Sequence, residues 1–109
     1  MAAERTFSFA GKTGIGAAVA AQADPLVRVY REGQAAAIGP VASRVLLATD
    51  QRKMTCTPDH TVGSASGDLG YAYGTCAGEG SDASSKVGFL RVWRKQPDGS
   101  WKILVDVTP

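Results

Sequence analysis

Asp106 is the residue of this sequence best suited by its surroundings to acid–base chemistry. It lies in an apolar run near the C-terminal end, between Val105 and Val107. An ionised carboxylate is costly to bury in such surroundings unless a cation pairs with it. An apolar environment favours the protonated form, which suits a carboxyl group to general acid–base catalysis. The alternative is that Asp106 lies at the end of a strand, where solvent or an arginine stabilises its charge.

A second candidate group combines a histidine with hydroxyl-bearing residues. Residues 69–76 alternate large and small side chains, which is typical of a strand, and Tyr71, Tyr73 and Thr75 share one face. If residues 67–68 form a two-residue turn, His60 pairs with Thr75 and joins that face. The pattern predicts a site in which His60 is catalytic and the two tyrosines bind a ligand carbonyl or enolate. The alternative is a partly exposed histidine beside tyrosines that fill core volume.

An arginine among aromatic residues forms the third candidate. Three aromatic side chains are predicted to share one sheet face: Phe89, Trp93 and Trp101. Such a face belongs more often to a core or an interface than to a ligand platform, and Trp93 is its candidate ligand-binding residue. Arg91 lies in the same set and needs a partner. That partner is an anionic ligand, a carboxylate such as Glu4, or an aromatic ring.

Neither a metal nor a cofactor is predicted. Residues 10–13 resemble the end of a phosphate-binding loop, but Thr6 stands where the leading glycine of that motif is required. The spacing of Cys56 and Cys76 fits no metal motif, and one histidine cannot complete a zinc site. The first five residues lack the features of a secretion signal, so a cytoplasmic location and two free thiols are expected.

The elements that must position these residues divide the chain into a helical half and a stranded half. A helix is predicted within residues 3–22, best supported over 17–22, and a short strand over 26–30. A second helix begins at Pro40, with Val41, Val45 and Leu46 on its inner side. Strands follow over 54–65 and 69–76, and residues 78–85 are predicted to form a flexible loop.

The C-terminal residues predict a β-meander. The β-rich runs 86–95 and 101–107 flank Pro97, Asp98 and Gly99. Proline and aspartate suit the central positions of a type I turn, and Gly99 accepts the left-handed conformation that follows. The two runs therefore form a hairpin with a glycine bulge, which places Trp93 opposite Ile103.

Length and charge limit the classes of function. A chain of 109 residues with 12 basic and 10 acidic side chains forms one domain, residues 1–109, with a net charge of +2. That excess is too small for a nucleic-acid footprint. The apolar runs are too short to cross a bilayer. No nucleic-acid or membrane partner is therefore expected.

Residues 66–71, Tyr73-Gly74, residues 88–102 and Asp106 ahead of Pro109 resemble the C-terminal half of a SnoaL-like, ketosteroid-isomerase-like domain. The resemblance implies an α+β cone in which a curved antiparallel sheet wraps around an N-terminal helix and leaves a pocket. It also implies that the last strand carries pocket acids.

Two functions are compatible with the resemblance: binding of a small apolar molecule, and cofactor-independent isomerase, cyclase, dehydratase or epoxide hydrolase activity through a pocket carboxylate. A homodimer is also expected. It would pack sheet against sheet, because the bare face of Gly70, Ala72 and Gly74 permits close approach.

Overall fold

The computed structural model describes residues 3–5, 7, 14–78 and 86–109. Residues 3–5 and 7 are helical. The elements that follow are α1 (Ile15–Ala21), β1 (Ala23–Tyr30), β2 (Ala37–Ile38), α2 (Pro40–Ala48), β3 (Met54–Gly63), β4 (Leu69–Gly78), β5 (Val87–Lys95) and β6 (Trp101–Val107). The predicted loop at 79–85 and the phosphate-loop-like residues 10–13 lie outside the described residues.

The domain is α+β, as predicted, with a curved sheet that does not close. In the described residues the strand order is β2-β1-β6-β5-β4-β3. Strands β3 to β6 form an antiparallel meander, whereas β1 and β6 are parallel. The sheet is therefore mixed: the antiparallel pairing that was predicted holds for the meander, and the β1–β6 pair is the parallel exception. The long connection through α2 and the meander explains it, because it lets the chain return beside β1 in the same direction.

One face of this sheet, the inner face, carries the core. Its buried apolar side chains include Val27, Val29, Ala72, Phe89, Trp93 and Ile103. Helix α1 buries Ile15, Ala18 and Val19 in the same core, and their spacing of three to four residues places them on one side of the helix. The half-buried Trp101 packs against this core, so the predicted shared face of the aromatic residues is confirmed.

Helix α2 buries a different side from the predicted one. Val41 and Val45 are 73% and 68% exposed, whereas Ser43 and Leu47 are buried. The prediction is correct only for Leu46, which packs against the core. Apolar residues lie on more than one side of this nine-residue helix, so its pattern alone does not select the buried side.

Strands β3 and β4 pair in a different register from the predicted one. Ser64 N donates to Leu69 O at 2.9 Å, so the connecting loop is longer than two residues. A bulge between Pro58 and His60 shifts the pairing further, and His60 lies opposite Tyr73 instead of Thr75.

Cys56 and Cys76 form a disulfide, so the prediction of two free thiols is wrong. The loop length and the bulge place the two residues directly opposite each other, with 3.9 Å between their Cα atoms. Both side chains are buried on the inner face. The disulfide joins β3 to β4 beside the core.

The C-terminal hairpin agrees with the prediction. Gly99 has a φ of 87°, and Gln96 N donates to Ser100 O at 2.7 Å. The register shifts between Val92 and Trp93, and Trp93 pairs with Ile103. This register determines which residues of β5 and β6 share the inner face.

Candidate functional site

Asp106 lies on the inner face of the sheet and is fully buried. Its Oδ1 accepts a hydrogen bond from Arg91 Nε at 2.7 Å, and its Oδ2 accepts one from Arg31 Nη1 at 2.6 Å. The Thr108 hydroxyl donates to Oδ2 at 3.1 Å. Asp106 is therefore a carboxylate paired with arginine, as the alternative interpretation of the sequence states. Both of its oxygens accept hydrogen bonds.

Arg91 links Asp106 to the N-terminal helical residues. Its Nη1 donates to Glu4 Oε1, and the indole of Trp93 donates to Glu4 Oε2 at 2.6 Å. The guanidinium carbon lies 4.0 Å from the ring centroid of Phe7 and 4.8 Å from that of Phe89. The predicted pairing with Glu4 is confirmed, and aromatic rings flank the same cation.

A second part of the network joins β1 to the loop after α2. Arg31, the residue after β1, donates from Nε to Asp50 Oδ2 at 2.8 Å. Arg52 holds the same carboxylate with two donors, at 2.7 Å and 2.9 Å. Three arginines and three acids therefore form one continuous cluster, which we call the ion network: Glu4, Arg31, Asp50, Arg52, Arg91 and Asp106.

Helix α1 fixes the loop that carries Asp50. The amides of Ile15 and Gly16 donate to the carbonyl oxygens of Arg52 and Asp50, at 2.7 Å and 3.2 Å. A Cβ at position 16 would clash with the carbonyl oxygens of Leu47 and Asp50. Glycine at position 16 is therefore what allows α1 to approach α2 closely enough to hold this loop.

The acids of the network differ in their preference for a proton. Burial raises the pKa of Glu4, and the opposing effects of Arg91 and Trp93 do not cancel it. Burial also acts on Asp50, but hydrogen bonds from Arg52 and Arg31 outweigh it and lower the pKa of Asp50. When Glu4 carries a proton, the network has three guanidinium groups and two carboxylates.

Each of the two buried arginines of the network has one nitrogen without a hydrogen-bond partner among the described residues. These atoms are Arg31 Nη2 and Arg91 Nη2. A buried donor that lacks an acceptor costs about 1–3 kcal/mol, and more when it is charged. Such atoms in a native fold call for an acceptor from outside the described residues.

Two open cavities adjoin the network. The first, of about 520 Å³, lies between α1 and α2 and is lined by Gly14, Gly16, Ala17, Ala20, Arg44, Leu47, Ala48, Asp50, Gln51 and Lys53. The second, of about 420 Å³, has Arg31 and Arg52 in its wall, together with Glu32, Leu46, Thr49 and Val87. Asp50 and Gln51 line both cavities.

The structure separates the predicted site residues into two groups. Asp106, Arg91 and Trp93 lie on the inner face, whereas Tyr71 and Tyr73 are about 40% exposed on the opposite face. His60 is also exposed there, and its ring stacks on Tyr73 with 5.1 Å between centroids. These candidates therefore do not meet in one cavity, because alternate residues of a strand face opposite ways. Their catalytic or binding roles stay predictions.

The face that carries Tyr71 and Tyr73, which we call the outer face, is mostly apolar in two neighbouring cross-strand rows. One cross-strand row consists of Val62, Tyr71, Val92, Val105, Arg28 and Ile38. A second row consists of His60, Tyr73, Leu90, Val107 and Tyr30. The bare face of Gly70, Ala72 and Gly74 is buried on the inner side, so the expectation that it forms a dimer contact is wrong.

The sequence reasoning missed Arg31, Asp50 and Arg52. These residues follow β1 or α2 in irregular segments, where hydrophobic periodicity carries no signal. In the described residues, no group of three or more histidine, cysteine or acidic side chains could hold a metal ion. No helix in this part of the chain has the length and apolar character to cross a membrane.

The fold is shared with solved structures of low sequence identity. A ketosteroid isomerase-like protein from Erwinia carotovora atroseptica superposes with a TM-score of 0.71 at 19% identity, covering 98% of this chain and 89% of that one. A putative calcium/calmodulin-dependent protein kinase II association domain from Xanthomonas campestris has a TM-score of 0.67 at 18% identity, with coverages of 98% and 81%.

An epoxide hydrolase/cyclase-like enzyme of pyran ring formation in salinomycin has a TM-score of 0.63 at 15% identity, covering 95% of this chain and 84% of that one. No family model and no curated protein matches the sequence. The comparisons therefore establish a fold shared with ketosteroid isomerase-like and cyclase-like proteins.

Proposed function

We propose that this domain binds a small, largely apolar molecule without transforming it, and that it acts as a homodimer. The observation that carries the proposal is the engagement of Asp106. Two buried guanidinium groups and the Thr108 hydroxyl occupy its oxygens. A general base must reach the proton that it removes, and a carboxylate held in this way is not free to do so.

The catalytic alternative would require the network to open. An isomerase or cyclase that used Asp106 would have to displace Arg31 or Arg91 from it before substrate could approach. Removing one partner from a buried ion pair costs about 3–5 kcal/mol. The contacts of Asp106 therefore favour a structural role for this carboxylate, and favour binding over catalysis for the domain.

The cavity between α1 and α2 suits an apolar ligand. Ala17, Ala20, Leu47 and Ala48 line it, with Gly16 at its deepest approach to α2. Its volume of about 520 Å³ lies within the range of roughly 300–1,000 Å³ that is usual for small-molecule sites. Arg44 and Lys53 add polar groups to its lining, which would orient a ligand.

The proposal is tested with the neutral fluorescent probe N-phenyl-1-naphthylamine. We expect saturable binding of one probe per chain. Ala17→Leu should weaken that binding at least tenfold, because the added side chain enters the cavity. The matched control is Ala42→Leu, which makes the same change at an exposed helical position outside the lining, and it should bind as the wild type does.

Two outcomes would contradict the proposal. One is the absence of saturable probe binding. The other is equal binding by Ala17→Leu and wild type, which would place the probe elsewhere, for example on the outer face.

The outer face supports the dimer. Its large apolar residues remain 37–42% exposed at Tyr30, Val62, Tyr71, Tyr73 and Leu90. A stable interface of standard size buries about 800 Å² per partner, and the dimer proposal places the two rows of side chains at the centre of such an interface. A contiguous apolar patch of this size is typical of an interaction surface, and a two-fold axis would pair it with itself.

A further inference from the structure

Arg31 offers a buried, charged donor that the fold leaves without an acceptor. Its side chain is 7% exposed. Its Nε is committed to Asp50, and its Nη1 to Asp106 and the Tyr30 carbonyl oxygen. Nη2 is the remaining nitrogen, and it has no partner among the described residues. Because Arg31 also lines the 420 Å³ cavity, a ligand there can supply what the fold does not.

The cations near this cavity are largely committed to carboxylates of the fold. Arg52 donates two hydrogen bonds to Asp50. The Asp50 carboxylate is therefore already paired with a cation. Arg31 and Arg91 then share Asp106 between them. In this wall, Arg31 Nη2 is the side-chain donor left without an acceptor among the described residues.

The chemistry of the wall narrows the class of anion. The remaining nitrogen, Arg31 Nη2, carries N–H donors on a charged group, for which a carboxylate oxygen is a strong acceptor. Glu32 in the same wall would repel a dianion such as phosphate, whereas Leu46 and Val87 provide apolar contact. A small monocarboxylate with an apolar group fits the guanidinium donor, the acidic Glu32 and the apolar residues of this wall.

We propose that the cavity walled by Arg31 binds a small monocarboxylic acid, whose carboxylate accepts hydrogen bonds from Arg31 Nη2 and whose apolar part contacts Leu46 and Val87. This second site goes beyond the apolar cavity between α1 and α2. In this proposal the ion network recognises a ligand and is also part of the core.

Benzoate and benzamide form the test pair. They share a ring and a planar head group, but only benzoate carries a charge at pH 7. We expect benzoate to bind to the full chain at least tenfold more tightly than benzamide in titrations followed by nitrogen–proton NMR. The arginine side-chain signals of Arg31 should shift on saturation. Equal affinity for the two compounds, or no benzoate binding, would overturn the proposal.

Substitutions then locate the site. Glu32→Gln should strengthen benzoate binding about twofold, because it removes an exposed like charge from the wall. Asp59→Asn makes the same kind of change at an exposed position outside the wall, and it should leave the affinity unchanged. Equal effects of the two would overturn this location.

Arg31→Lys keeps the charge and loses the planar fork, so it should weaken benzoate binding about tenfold. If that variant does not fold, the two acid substitutions still decide the question. Retained affinity in a folded Arg31→Lys would overturn the role of Arg31.

The two proposals fail in different ways. Loss of benzoate binding leaves the naphthylamine result intact, because that probe is neutral and tests the cavity between α1 and α2. Loss of naphthylamine binding likewise leaves the comparison of benzoate with benzamide interpretable.

Discussion

The two faces of one sheet each carry some side chains that are usually found on the other kind of surface. On the inner face, Ala72, Arg91 and Asp106 lie side by side, and both charged residues are fully buried. On the outer face, Tyr71 lies beside Val92 and Val105 and remains 40% exposed. The buried surface therefore carries charge, and the exposed surface carries aromatic and aliphatic side chains.

The difference shows that burial depends on available partners as well as on polarity. Every carboxylate of the ion network is held by at least one guanidinium group, which offsets the cost of removing the charge from water. On the outer face, Tyr73 stacks on His60 and on Tyr71, and both tyrosines still remain about 40% exposed. Partners for the charges of the inner face come from the fold, whereas the proposed homodimer would cover the outer face.

The largest effect expected on the inner face comes from Asp106→Asn. The shape of the side chain is nearly retained, but Arg31 and Arg91 lose the carboxylate that they share. Breaking a buried ion pair in this way costs about 3–5 kcal/mol. Urea unfolding measures the loss. Asp59→Asn is the matched control, because it makes the same change at an exposed residue, and it should cost under about 0.5 kcal/mol. Equal stability of both variants would show that the network contributes nothing.

The disulfide provides the next largest effect. The cysteines are separated by 20 residues, and closing a loop of this order stabilises a fold by about 3 kcal/mol. We expect no reactive thiol in the denatured, unreduced protein and two after reduction, with a matching fall in the urea midpoint. Two reactive thiols before reduction would contradict the disulfide and restore the expectation of free cysteines. The result also bears on the expected cytoplasmic location, where thiols are usually kept reduced.

A pH series separates Glu4 from the other acids. Because the pKa of Glu4 is raised in the folded state, its ionisation destabilises the fold as the pH rises above the ordinary glutamate pKa of 4.5. The cost of Glu4→Gln should therefore fall between pH 4 and pH 8. Asp24 behaves oppositely, since hydrogen bonds from Leu26 N, Arg94 and Gln96 outweigh burial and lower its pKa. The stabilisation by Asp24 is present above 3.8 and is lost as the pH falls below that value.

Urea unfolding at pH 4, 6 and 8 measures the effect of Glu4, and a further measurement at about pH 2 reaches the range in which the stabilisation by Asp24 is lost. A cost of Glu4→Gln that grew with pH would show that Arg91 and Trp93, instead of burial, dominate the environment of Glu4.

The smallest effect concerns the hairpin that sets which residues share a face. Gly99 has a left-handed backbone conformation, which a β-branched residue resists. Gly99→Val should cost about 1–2 kcal/mol, whereas Gly63→Val, at a glycine with open space and without a positive φ, should cost less. An unchanged urea midpoint for Gly99→Val would mean that the turn adopts another conformation.

The sequence predicts local pattern well and long-range pairing poorly. Alternation in residues 69–76 and the turn at Gly99 predict the strands and the hairpin, because both signals lie within a few residues. The partnership of Arg31 with Asp50 and Asp106 spans most of the chain and leaves no local trace. The pairing of Cys56 with Cys76 depends on the length of the β3–β4 loop and on the bulge in β3. An error of one residue in either places Cys56 opposite a different residue in the predicted register. Alternation in β4 likewise identifies two faces without indicating which one meets the core.

The most direct test of the division between the two faces is the urea midpoint measured at low and high protein concentration. A dimer gains stability as its concentration rises. Asp106→Asn should lower the midpoint at both concentrations and keep its concentration dependence. Tyr73→Lys should abolish the concentration dependence. At low protein concentration, its free energy of unfolding should lie within about 0.5 kcal/mol of the wild-type value. Val41→Lys, at an exposed apolar residue on α2, should change neither. A concentration dependence that survives Tyr73→Lys, or is absent from the wild type, would contradict the assignment of the outer face to self-association.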